Sequence, residues 1–225
     1  MKKKLKSIGV ILLAGALGYG GYHYYLKERR EIGVLRKVAE RLSADSRVAE
    51  ILVTGVNFDE ERGQALTTIK FLEYSSRGEP LTPRYFTFTG NIIQFQSLVI
   101  RFDDIHIRRG DRLKGKSAYV FWKVFMLDGG NTQEYVINRA YDIPDGYKLS
   151  GERDPYEEKL WRMFWTWALD PDQAREQGIK NAQIEAPGTM FVPGNIYVIR
   201  IEHDGGLRID VSPLSPILRG ERIIS

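Results

Sequence analysis

Asp103, Asp104 and His106 are the densest local group in this chain able to hold a metal or move a proton. Side chains alternate faces along a strand, so Asp104 and His106 would share one, as metal ligands or an acid/base pair must. No second histidine or carboxylate stands at a recognised metal spacing, such as the paired histidines of a helical zinc motif. A turn between strands accounts for the aspartates equally well, which leaves Asp104 and His106 as a weak metal alternative.

His203 beside Asp204 is weaker, because Asp204 already belongs to a hairpin turn. No serine sits in a nucleophile elbow, and no glycine-rich phosphate loop follows a strand. Glu60/Glu61 read as a solvated turn and Glu157/Glu158 as a helix start. Glycosidase carboxylates are defined by their separation in space, which sequence does not give. The sequence therefore assigns no catalytic residue, no metal and no cofactor.

Two features remain as binding candidates. Trp161 and Trp165 stand four apart, able to stack on a sugar or rest in a membrane interface, although an aromatic stripe at helical spacing ordinarily plugs a sheet. Arg108, Arg109 and Arg112, with Arg101, Lys114 and Lys116, form a basic stretch interrupted by Asp103, Asp104 and Asp111. It suits lipid headgroups or an anionic polymer, or a charged hairpin facing water.

The elements that must position these residues are mostly strands. Val48 to Phe58, Ala65 to Tyr74, Arg84 to Thr89 and Ile92 to Phe102 have the period of two and the β-branched content of strands. Ala118 to Leu127 is apolar on both faces, as a central, doubly covered strand is, and turns through Asp128-Gly129-Gly130-Asn131 into Gln133 to Tyr141. Asn195 to Glu202 turns through Asp204-Gly205-Gly206 into Leu207 to Val211. There Tyr197, Ile199 and Ile201 can meet Leu207, Ile209 and Val211.

Between these hairpins lies a helix pair. Asp154 caps the first helix, Pro155 fits its first position and Glu157 completes a capping box. Asp170, Pro171 and Gln173 repeat the pattern before Gly178. Leu160, Trp161, Phe164 and Trp167 form the first helix's apolar face, with Met163 and Trp165 off it. The expected architecture is an α+β, β-rich domain, a mostly antiparallel curled or two-layer sheet with the helix pair on one side.

The amino-terminal region supplies the remaining expectation. Lys2, Lys3, Lys4 and Lys6 precede an apolar run over residues 8–26, followed by Lys27, Arg29 and Arg30. At about 1.5 Å per residue, such a run just reaches across a hydrocarbon core of roughly 30 Å. A cleaved signal fits less well, because the apolar core before Ala14-Gly15-Ala16 is short. Gly15, Gly18, Gly20 and Gly21 weaken the span, and the pairs Ala14/Gly18 and Ala16/Gly20 offer small faces for self-association.

The organisation expected is a basic tail over 1–7, a single transmembrane anchor over 8–26, an amphipathic stalk helix over 27–46, a β-rich domain over 47–212 and a tail over 213–225. A lysine-rich free end crosses a membrane poorly, which places the amino terminus in the cytoplasm and the domain outside.

Charge excludes one class. Residues 1–46 hold ten Lys/Arg against four Asp/Glu, leaving 23 against 25 in the remainder, so the domain is near neutral and no nucleic-acid partner is expected. With no cysteine, disulfides and thiolate metal sites are absent. The function expected is a non-catalytic binding or assembly module tethered in a cell envelope, contacting the bilayer through 8–26 and a protein partner. A membrane-tethered hydrolase of envelope polymers and a carrier of an apolar ligand are the alternatives.

Overall fold

A computed structural model describes residues 18–26, 48–61, 63–75, 78–101, 117–128, 131–148, 154–176, 181–201 and 206–218. Among the described residues a helix at 18–26 is followed by ten strands and two further helices: β1 (Val48–Asp59), β2 (Gln64–Glu73), β3 (Arg84–Phe88), β4 (Ile92–Arg101), β5 (Ser117–Asp128), β6 (Asn131–Val136), α1 (Pro155–Leu169), α2 (Pro171–Glu176), β7 (Asn181–Glu185), β8 (Gly188–Met190), β9 (Asn195–Ile201) and β10 (Leu207–Pro213). One sheet runs β10-β9-β1-β2-β3 and the other β6-β5-β4-β7, with β8 also on β4. Every pairing is antiparallel.

The sheets close on a single apolar cluster to which both contribute. Phe71 of β2 is its centre. Its ring stacks on Phe95 at 5.4 Å, meets Phe121 edge-on at 5.5 Å and lies 6.3 Å from Phe86. Such rings bring large buried area, and each pair adds about 0.5–1.5 kcal/mol beyond it. At one side of the stack Tyr135 of β6 donates its hydroxyl to the Thr87 carbonyl of β3 at 2.6 Å. At the other, the Phe191 amide donates to the Asn91 carbonyl at 2.7 Å.

β5 carries a second cluster on its opposite face. Its register against β4 shifts between Gln96 and Ser97, where Trp122 is the extra residue. Residues three apart in a regular strand face opposite ways, but this bulge turns both Phe121 and Val124 into the first cluster. Val120 of β5 and Leu98 of β4 then face α1, which buries Trp161, Phe164, Trp165 and Ala168 against them. The layers are sheet, sheet and helix pair.

Local chemistry explains α1. Asp154 accepts hydrogen bonds from the Tyr156 and Glu157 amides at 2.8 and 3.4 Å, and Pro155 opens the helix. Trp165 belongs to the buried face, together with Trp161 and Phe164. The expected stripe, which left Trp165 out, is thereby corrected: sheet contact covers a wider arc of the helix than one row of side chains.

Three further expectations change. The strand expected over Gln133 to Tyr141 ends at Val136, where the chain leaves the β5 edge. β7 and β8 add two strands to those expected, from Asn181–Glu185 and Gly188–Met190, which are short and carry little strand signal. The single transmembrane span is the largest correction. Among the described residues no helix is long and apolar enough to cross a membrane.

Residues 18–26, the described part of the 8–26 run, are helical and read GYGGYHYYL, with Leu26 the sole large aliphatic side chain. Crossing takes about 20 predominantly apolar residues, and glycines and interfacial tyrosines do not supply them. The anchor, the bilayer contact and the envelope placement with an outward-facing domain rested on that span and are withdrawn with it. The proposed stalk over 27–46 lies outside the described residues, as do Ala14 and Ala16.

Two expected outcomes follow from this packing. Phe71→Ala should cost about 3–5 kcal/mol of stability, read by denaturant unfolding of the full chain. The second concerns Asp170, which accepts from the Asp172 and Gln173 amides, both at 3.1 Å, and from the Gln173 side chain at 2.8 Å. The Gln173 amide is the main reason its carboxyl is held below the usual range, and slight burial opposes it. A lowered carboxylate stabilises the fold above its unfolded value and loses that contribution as pH falls through the folded one. Acidification from about pH 5 to pH 2 should therefore weaken the native chain by more than it weakens Asp170→Asn, measured as melting temperature against pH.

Candidate functional site: a charged cleft between β6 and α1

The cleft begins where β6 stops covering β5. β6 pairs with Lys123–Asp128 only, so the carbonyls of Tyr119, Phe121 and Trp122 need other donors. The chain after β6 supplies them. The Ile137 and Asn138 amides donate to the Trp122 carbonyl at 2.8 and 3.2 Å. The Asn138 side chain donates to Phe121 at 2.8 Å. Tyr147, buried in the short 3-10 turn Asp145–Tyr147, donates its hydroxyl to the Tyr119 carbonyl at 2.6 Å. Residues 137–147 are thus pinned at both ends.

Between the pins the backbone takes a costly shape. Tyr141 has φ 69°, the left-handed region that L residues other than Gly, Asn and Asp seldom occupy. The following carbonyl, of Asp142, accepts from the Trp165 indole at 2.7 Å, so α1 fixes this turn from below. Tyr141 is left half exposed and lines a cleft of about 950 Å³.

The cleft is charged. Arg84, Arg139, Lys148 and Arg162 line it, as do Asp142, Asp145, Glu157 and Glu158. Asp145 is engaged twice, by Arg84 at 3.1 Å and Lys148 at 2.6 Å. Arg84 also donates to the Ile137 carbonyl, tying the first residue of β3 to the end of β6. Glu157, in the first turn of α1, is 2% exposed. Arg139 and Arg162 are exposed and make no ion pair among the described residues. A smaller cavity of about 420 Å³, with Phe71 and the buried Glu73 in its wall, shares Arg84 and Asp145 with the cleft.

None of the candidates read from sequence lines the cleft among the described residues. Trp161 and Trp165 are 2% and 0% exposed inside the second cluster, with Tyr147 4.7 Å from the Trp161 ring, and present no face to a ligand. Trp165 reaches the site only through its bond to Asp142. Arg108, Arg109, Arg112, Asp104 and His106 fall in 102–116, outside the described residues. Among the described residues no group of three or more His, Cys, Asp or Glu is placed to hold a metal. Sequence reasoning missed Arg84, Arg139, Tyr141 and Arg162, because arginines and a tyrosine scattered over three elements share no spacing.

No family model matches this chain, and no curated protein or solved structure matches it either. The cleft must be read from its own chemistry.

A left-handed non-glycine residue costs roughly 1–2 kcal/mol, which glycine does not incur. Tyr141→Gly should therefore leave the full chain at least as stable as the parent, its greater unfolded-state freedom offsetting part of that relief. A melting temperature several degrees lower would show that the Tyr141 ring contributes packing instead.

Proposed function

We propose that this domain is a binding module that receives a polar ligand in the cleft between β6 and α1. The observation that carries this reading is the pairing of a built cavity with strain. About 950 Å³ of charged space is walled by a pinned segment that holds Tyr141 in an unfavourable conformation. Strain of this kind persists where surrounding structure over-determines it, and it gathers at ligand clamps.

The polar lining weighs against a carrier of an apolar molecule, since the cavity that reaches Phe71 also carries Glu73, Arg84 and Asp145. Both apolar clusters are occupied by the chain's own rings. The hydrolase reading keeps one observation in its favour, the four carboxylates in the cleft. Hydrolysis by a carboxylate pair needs an acid and a base or nucleophile on either side of the reacting bond. Asp145 is held by two cations and Glu157 is only 2% exposed, so two of the four carboxylates are poorly placed to meet a substrate, and binding is the better-supported reading.

The test is amide chemical-shift mapping on the full chain with separate panels of polar solutes and of fatty acids. Polar solutes should perturb amides over 137–148 and 155–162, and fatty acids should leave them unmoved. Shifts confined to other surfaces would overturn the assignment. Turnover of a polysaccharide or peptide that is lost in Asp142→Asn with Glu158→Gln would replace binding by hydrolysis.

A further inference from the structure

We propose that the cleft recognises an anionic group, a carboxylate or a phosphate, through the guanidinium groups of Arg139 and Arg162. This rests on the cleft being the binding site and names what it selects. Both arginines line the cleft, one from the segment after β6 and one from α1. Each has a carboxylate close in sequence that it does not use. Glu158 precedes Arg162 by four residues, the helical spacing at which such a pair ordinarily meets, yet Arg162 makes no ion pair among the described residues. Asp142 follows Arg139 by three residues and is likewise unpaired there.

The other charges are already committed. Asp145 is taken by Arg84 and Lys148, and neither Glu157 nor Glu158 forms an ion pair with Arg139 or Arg162 among the described residues. Of the four cations that line the cleft, Arg84 and Lys148 are paired with Asp145, and Arg139 and Arg162 are the two without a counter-ion among the described residues. Guanidinium presents a planar fork that matches a carboxylate or phosphate in two parallel hydrogen bonds. The Tyr141 ring in the same lining offers an apolar face to whatever carries the anion.

The experiment titrates the full chain with inorganic phosphate, with succinate, and with two controls, glucose and ethylamine, at low ionic strength. Saturable binding of phosphate or succinate is expected, with the stronger of the two identifying which oxyanion the fork prefers. R139A/R162A should weaken it about tenfold or more, because each lost charged hydrogen bond is a large fraction of such an affinity. R139K/R162K should recover only part, since a lysine keeps the charge and loses the fork. Both arginines are exposed, and unchanged melting curves for the variants will show that folding is intact.

Binding that the double alanine variant leaves unchanged would overturn the inference, as would no saturable binding by either anion below about 10 mM. Occupation of the mapped cleft by glucose or ethylamine in preference to the anions would overturn it too, while leaving the broader binding reading in place. Anions binding at other surfaces with the cleft silent would remove both.

Discussion

The edge of β5 that β6 leaves uncovered is the constraint on which the rest of this structure turns. β5 runs from Ser117 to Asp128, but β6 reaches back only to Lys123. A buried strand edge cannot keep its carbonyls unpaired without a cost of about 1–3 kcal/mol for each. The segment after β6 therefore folds against that edge and donates to three of its residues through two amides, a carboxamide and a phenol. The bulge at Trp122 places one of these acceptors. It also sets which way Phe121 and Val124 point, so one irregularity serves both the core and the site.

The same strand explains why the molecule has three layers. β4 and β5 carry apolar side chains on both faces, and one sheet alone would leave one of them in water. The outer sheet covers the first face through the rings around Phe71. The second is covered by α1, whose capped start and broad aromatic surface meet Leu98 and Val120. α1 then approaches the pinned segment from the far side, and the Trp165 indole joins them at the Asp142 carbonyl. The cleft is lined by both covering elements, by Arg139, Asp142 and Asp145 of the segment and by Glu158 and Arg162 of α1.

What was legible in the sequence follows from how local each signal is. The hairpin of β9 and β10 pairs Leu207 with Ile201, Ile209 with Ile199 and Val211 with Tyr197, because alternation and a glycine turn fix register within a few residues. The caps at Asp154 and Asp170 are local for the same reason. The span over 8–26 has the length of an anchor but not the composition, since tyrosine and glycine over 18–26 are poor material for a hydrocarbon core. β7 and β8 escaped because their strand character comes from β4, against which they pair, rather than from their own residues.

The site was illegible for a deeper reason. Arg84, Arg139, Tyr141 and Arg162 come from β3, from the segment after β6 and from α1, and only the three-layer packing brings them to one cavity. Nothing in the letters around Tyr141 announces a positive φ, since the turn is imposed by anchors at either side: Asn138, Trp165 and Tyr147. Each anchor is itself a buried polar group that must find a partner, and each finds it in β5 or in the segment itself. The strain at Tyr141 is thus sustained by hydrogen bonds the core requires in any case, which is how a fold can hold a ring and two arginines open to solvent without a dedicated scaffold for them.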